Sequence, residues 1–183
     1  MLLLILGIAL WAGFHSLKRI TPEWRSAMGK KGQGLIAIGI LSGLISMIWG
    51  YRTAEFIVVW TPPEFMVHIN NFLMLLAVSL LAMSMTKGRM SGRMRHPMLT
   101  AVKTWAVAHL LVNGDLASML LFGSMLGWAV WSVIKINRAE SWERPELTVG
   151  GRDWMYLVLL VGIFALMTGV HVLLGVMPFG VRA

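Results

Sequence analysis

The sequence predicts an all-α fold, namely a polytopic membrane bundle of six transmembrane helices with both termini on the non-cytoplasmic side. Three observations predict it: the composition, six apolar stretches and the placement of the basic residues. Of the 183 residues, 57% are hydrophobic and 13% are charged, whereas a soluble domain carries about 25% charged residues. This composition excludes a soluble globular enzyme, and the high hydrophobicity excludes a disordered chain.

The six apolar stretches are each long enough, or nearly long enough, to cross a bilayer. A transmembrane helix needs roughly 20 apolar residues, so the shorter second and fourth stretches must include interfacial residues at their ends. Because the runs are continuous and do not alternate, they predict helices and not a barrel. No domain boundary interrupts them, and we expect one transmembrane domain over residues 1–183. The stretches are Met1–Leu17, Gly34–Trp49, Phe65–Met85, Met98–Val112, Leu116–Ile134 and Trp154–Val176.

Basic residues occupy alternate loops, and this alternation predicts the orientation. The chain has 16 Lys and Arg against 8 Asp and Glu, and the positive-inside rule places the basic loops in the cytoplasm. The excess therefore indicates contact with anionic lipid and not with nucleic acid. The absence of cysteine excludes disulfides and thiolate metal sites. The basic loops hold Lys18, Arg19, Arg25, Lys30 and Lys31, then Lys87, Arg89, Arg93 and Arg95, then Lys135, Arg138, Arg144 and Arg152, whereas the loop after the second stretch holds only Arg52.

Two short patterns predict how helices meet. Asn113, Gly114 and Asp115 alone join the fourth and fifth stretches, which predicts an antiparallel helical hairpin. Asp115 stands where the N-cap of the next helix would lie, three residues before Ser118. Gly39 and Gly43 form a small-xxx-small pattern, which is typical of closely packed helices.

Histidines are the most informative polar residues. His15, His109 and His171 fall inside apolar stretches, while His68 and His96 lie near stretch ends. Ionisable groups in a membrane are costly and indicate function, and two histidines facing each other across a bundle can hold a haem iron. The alternative is that each imidazole only bonds a neighbouring helix.

Depth estimates divide these polar residues into two groups. With a rise of about 1.5 Å per residue in a slab of about 30 Å, His68, His109 and His171 share the outer half. Arg95 and His96 share the inner half with His15. This geometry favours His109 together with His171 or His68.

The Arg95-His96-Pro97 motif opens the fourth stretch. Proline is expected at a helix N-terminus, so one interpretation is an interfacial helix start with a snorkelling arginine. The other is a contact with a substrate or a lipid headgroup. Asn113 and Asp115 are further candidates for such a contact at the opposite end of the same stretch.

Several of these motifs together resemble the NnrU family of bacterial inner-membrane proteins. The resemblance covers nearly the whole chain and is carried by Phe14-His15-Ser16, by the motif from Arg95 to Thr100, by the run from His109 to Ser118 and by the run from His171 to Pro178. That family is similar to the plant and cyanobacterial 15-cis-zeta-carotene isomerase, a membrane haem b protein. The resemblance implies haem b with His15 and His109 as the iron ligands, and His171 is the third candidate ligand.

The resemblance implies a multi-pass protein of the bacterial inner membrane, linked to denitrification and nitric oxide metabolism or to cis–trans isomerisation of a hydrophobic polyene. Its partners would be the lipid bilayer and a hydrophobic substrate or a membrane reductase. A non-enzymatic membrane assembly protein without a cofactor is the alternative. A third hypothesis is a membrane methyltransferase, because the motif around His96 also resembles the isoprenylcysteine type. Whether the chain is an enzyme, and which residues would be catalytic, stays open.

Overall fold

The computed structural model describes residues 1–86, 91–144 and 153–179. Within these ranges the chain forms seven α-helices, one short 3-10 helix (Ser91–Arg93) and no β-strand beyond an isolated bridge. The all-α prediction is therefore confirmed for the described part of the chain. The helices are α1 Leu2–Ile20, α2 Pro22–Ala27, α3 Gly29–Arg52, α4 Met66–Met85, α5 Pro97–Val112, α6 Leu116–Ala139 and α7 Asp153–Leu173.

Five of these helices are long and apolar enough to cross a membrane: α1, α3, α4, α6 and α7. The fourth predicted span corresponds to α5, which has 16 residues and is about 24 Å long at 1.5 Å per residue. It is shorter than a hydrocarbon core of about 30 Å. The short helix α2 was not predicted, because Pro22 starts it in a polar loop without an apolar period. Among the residues used to predict orientation, Lys87, Arg89 and Arg152 lie outside the described residues.

The described residues form two compact units. The first comprises Met1–Thr61 and Asn113–Trp128, and the second comprises Pro62–Val112 and Ala129–Ala183. Helix α6 contributes its first half to the first unit and its second half to the second.

Glycines let α1 and α3 pack at close range in the first unit. A Cβ atom at Gly7 would lie 2.5 Å from the backbone nitrogen of Met47, and one at Gly43 would lie 2.6 Å from that of Trp11. At Gly39 the neighbour is the ring of Phe14, which is a side chain. The predicted close approach of backbones is thus confirmed at Gly43, opposite Gly7, and not at Gly39, since only residues without a Cβ allow such an approach.

The connection after α3 pairs with the turn before α6. The backbone N–H groups of Val59 and Trp60 both donate to the carbonyl of Gly114, at 2.8 and 3.0 Å. The N–H of Leu116 donates to the carbonyl of Ile57 at 2.8 Å. These bonds tie residues 57–60 to the start of α6.

Helix α4 is the central helix of the second unit and packs against both α5 and α7. The apolar core between α4 and α5 contains Leu80 and Met83 of α4 and Ala101 of α5. The hydroxyls of Ser79 and Tyr156 join α4 to α7 at 2.6 Å. No residue of α7 is buried, although α7 has the highest mean hydropathy of the five long helices, as expected for a helix that faces lipid.

Candidate functional site

The three histidines within apolar helices share one hydrogen-bond geometry. In each, the ring atom Nδ1 bonds the backbone carbonyl four residues earlier: His15 to Trp11 at 3.0 Å, His109 to Trp105 at 2.9 Å and His171 to Met167 at 2.7 Å. A carbonyl oxygen can only accept, so Nδ1 must carry the proton. The other ring nitrogen, Nε2, then holds the lone pair that binds a metal, and the carbonyl fixes the ring orientation.

His15 lies in an aromatic cluster of the first unit. Its ring centroid is 3.9 Å from that of Trp11 and 5.6 Å from that of Trp128. The indole N–H of Trp128 donates to the hydroxyl of Ser16 at 3.2 Å, and Ser16 is buried. The cluster therefore holds the imidazole against one large ring on its own helix and one on α6.

His109 and His171 belong to the second unit. The His109 ring lies beside Trp105, with centroids 5.2 Å apart. His109 lies in the last turn of α5 and His171 in the last turn of α7. His68 lies on α4 with its side chain exposed.

A buried amide lies on the helix between α5 and α7. Asn70 of α4 is 8% exposed, and its Oδ1 atom is buried without a hydrogen-bond partner among the described residues. This residue could not be predicted from the sequence, because an asparagine near a helix end is ordinarily solvated and the burial arises only from packing.

Arg95 and His96 join the start of α5 to the end of α6. The Arg95 guanidinium donates to the carbonyl of Glu140 at 2.5 Å, and His96 Nε2 donates to Oδ1 of Asn137 at 2.8 Å. Nε2 of His96 therefore carries the proton, whereas Nδ1 carries it in the three histidines within apolar helices. These bonds give both residues a structural role that the motif alone did not reveal.

Asp115 is the N-cap of α6, as predicted. Its Oδ1 accepts the backbone N–H of Ser118 at 2.9 Å, and its Oδ2 accepts the Ser118 hydroxyl at 2.6 Å. Tyr51 adds a further hydrogen bond to this network, because its hydroxyl lies 2.8 Å from Ser118 Oγ. Asp115 and Ser118 are buried. The carboxylate is thus engaged within the protein, and Tyr51 is a partner that no sequence signal indicated.

The described residues contain no group of three or more His, Asp or Glu side chains placed to hold a metal ion. A site built wholly from protein ligands is therefore not seen in this part of the chain. A haem iron needs fewer ligands from the protein, since the porphyrin supplies four nitrogens and the protein supplies only one or two axial ligands.

The five long apolar helices indicate a multi-pass helical membrane protein. The chain belongs to the NnrU family: the family model described as NnrU protein matches residues 3–178. The expected family is thereby confirmed over nearly the whole chain. No curated protein and no solved structure matches this chain.

Proposed function

We propose that this protein binds haem b within the membrane through its apolar-helix histidines. The observation that carries the proposal is the shared Nδ1-to-carbonyl bond of His15, His109 and His171. Three half-buried imidazoles in one small chain all hold the tautomer that a haem iron needs.

The residues present fit a haem in chemistry as well as in tautomer. Trp11 and Trp128 provide flat apolar surfaces beside His15, and Trp105 provides one beside His109. Bound haem would supply one-electron iron chemistry, while the protein supplies axial nitrogens and excludes water. His109 is the first proposed ligand. His171 is favoured because it belongs to the same unit as His109 and also lies in the last turn of its helix, and His15 is the ligand that the resemblance indicates.

The test is the visible spectrum of protein purified from haem-sufficient cells. We expect a Soret band in the wild type that is lost or shifted in His109→Leu. His15→Leu and His171→Leu then identify which residue supplies the second ligand. His68→Leu tests the remaining candidate of the outer group, and His96→Leu is the control, because Nε2 of His96 is bonded to Asn137. A wild-type protein without a Soret band would refute the proposal.

We propose that the bound haem serves either a step linked to denitrification and nitric oxide metabolism or cis–trans isomerisation of a hydrophobic polyene. Incubating the purified protein with a cis-polyene tests the second role directly. Co-purification with a membrane reductase supports the first. Retention of physiological activity by a protein lacking all three membrane histidines would instead favour the assembly role without a cofactor.

We also propose that α5 is a sixth span, in the bacterial inner membrane with both termini on the non-cytoplasmic side. The helix itself is about 24 Å long. Arg95 and His96 precede it and Asn113 and Gly114 follow it, so that these polar residues extend the span into the interfacial layer at both ends. Reporter fusions at the C-terminus, active only in the periplasm or only in the cytoplasm, test this topology.

A further inference from the structure

An extended apolar segment lies at one end of the first unit, between two membrane-spanning helices. It comprises Phe56–Trp60 and follows the end of α3 at Arg52. The exposed fractions of Phe56, Val58 and Val59 are 63%, 63% and 55%. Contiguous exposed apolar side chains mark a surface that something other than water covers.

The depth of this segment follows from its pairing. Val58 forms a β-bridge with Asp115, the N-cap of α6. Tyr51, in the last turn of α3, bonds Ser118 in the first turn of α6. The end of α3, the start of α6 and the segment therefore lie at one level, which is the boundary where both helices leave the membrane.

The backbone of the segment is suited to a place with little water. The N–H groups of Val59 and Trp60 and the carbonyl of Ile57 are bonded to the turn before α6. Unsatisfied backbone groups exclude irregular chain from lipid, and here these three groups are satisfied within the protein. Trp60 and the exposed Trp49 of α3 are also the residue type that collects at the headgroup level.

We propose that the 56–60 segment inserts its apolar side chains into the interfacial layer of the lipid bilayer and anchors this end of the first unit. Glu55 precedes the segment, and because an ionisable side chain is costly in lipid we expect it on the aqueous side of the boundary. The occupant of the exposed surface is thus lipid and not another protein.

The experiment uses the absence of cysteine in the chain. Single substitutions Val58→Cys and Glu55→Cys are labelled with the polarity-sensitive fluorophore NBD in the full-length protein, in nanodiscs of phosphatidylcholine and phosphatidylglycerol. The nanodiscs expose both membrane faces, so the result does not depend on orientation. We expect blue-shifted emission at position 58 that brominated lipid quenches, and unshifted, unquenched emission at position 55.

Two results would overturn the proposal. Emission at position 58 that matches position 55 and is not quenched would place the segment in water. Blue-shifted emission that brominated lipid does not quench would mean that protein covers it. Phe56→Cys provides a second labelled site on the same side of the extended chain, should the label at position 58 disturb the bridge.

Discussion

The close packing of α1 and α3 predicts a large effect for one methyl group at Gly43. A Cβ there would lie 2.6 Å from the nitrogen of Trp11, 2.9 Å from its Cα and 3.0 Å from the carbonyl of Gly7. Ordinary contact begins at 3.4 Å, so the closest approach is 0.8 Å too short. All three neighbours are backbone atoms, which can move only if the helices separate.

The expected cost of Gly43→Ala follows from this geometry. Overpacking typically costs 1–3 kcal/mol, and because the neighbours are backbone atoms we expect about 3 kcal/mol. The better helix propensity of alanine offsets about 1 kcal/mol. We therefore expect the free energy of unfolding to fall by about 2 kcal/mol.

The assay is unfolding in mixed micelles of increasing SDS fraction, followed by far-UV circular dichroism. Gly13→Ala on α1 is the matched control, because a Cβ there meets nothing within 4 Å. We expect this control to be as stable as the wild type or slightly more stable. A Gly43→Ala protein as stable as Gly13→Ala would refute the packing argument.

Three further predictions follow from named contacts. Asp115→Ala removes both acceptors of the α6 cap and should lower the free energy of unfolding by about 1 kcal/mol, whereas Asp115→Asn should lose less; the same SDS titration measures both, and equal effects of the two variants would contradict the cap. Tyr156→Phe breaks the 2.6 Å bond to Ser79 and should cost about 1 kcal/mol, while Tyr156→Phe combined with Ser79→Ala should cost little more; additive losses in the double variant would show that the two hydroxyls do not interact. Trp128→Phe removes the N–H group that donates to the Ser16 hydroxyl, so the His15 ring should exchange more between conformations. This exchange would broaden the NMR signal of isotope-labelled His15. An unchanged signal would show that the bond does not restrain the aromatic cluster.

Much of the helical architecture could be predicted from the sequence, because long apolar runs have few alternatives in a bilayer. The N-cap at Asp115 and the glycine packing near Gly43 were also predictable, since each depends on local chemistry within a few residues. Helix α2 and the early start of α3 at Gly29 were not, because they lie in a polar loop where apolar periodicity gives no signal.

The surroundings of the candidate site were less predictable than its histidines. Apolar helices made His15, His109 and His171 conspicuous, but their common tautomer appears only from the distances of Nδ1 to the preceding turn. The contacts of Tyr51 with Ser118, and of Arg95 with the end of α6, join residues more than 40 positions apart in the chain. Such contacts depend on how helices pack, which the sequence of one helix does not contain.

The most direct test of the central claim is the absorption spectrum of the purified, full-length protein made with ample haem, compared with that of His109→Leu. We expect a Soret band in the wild type and its loss or displacement in the variant. A colourless wild-type protein, or a band that is identical in the variant, would contradict the assignment of His109 as a haem ligand.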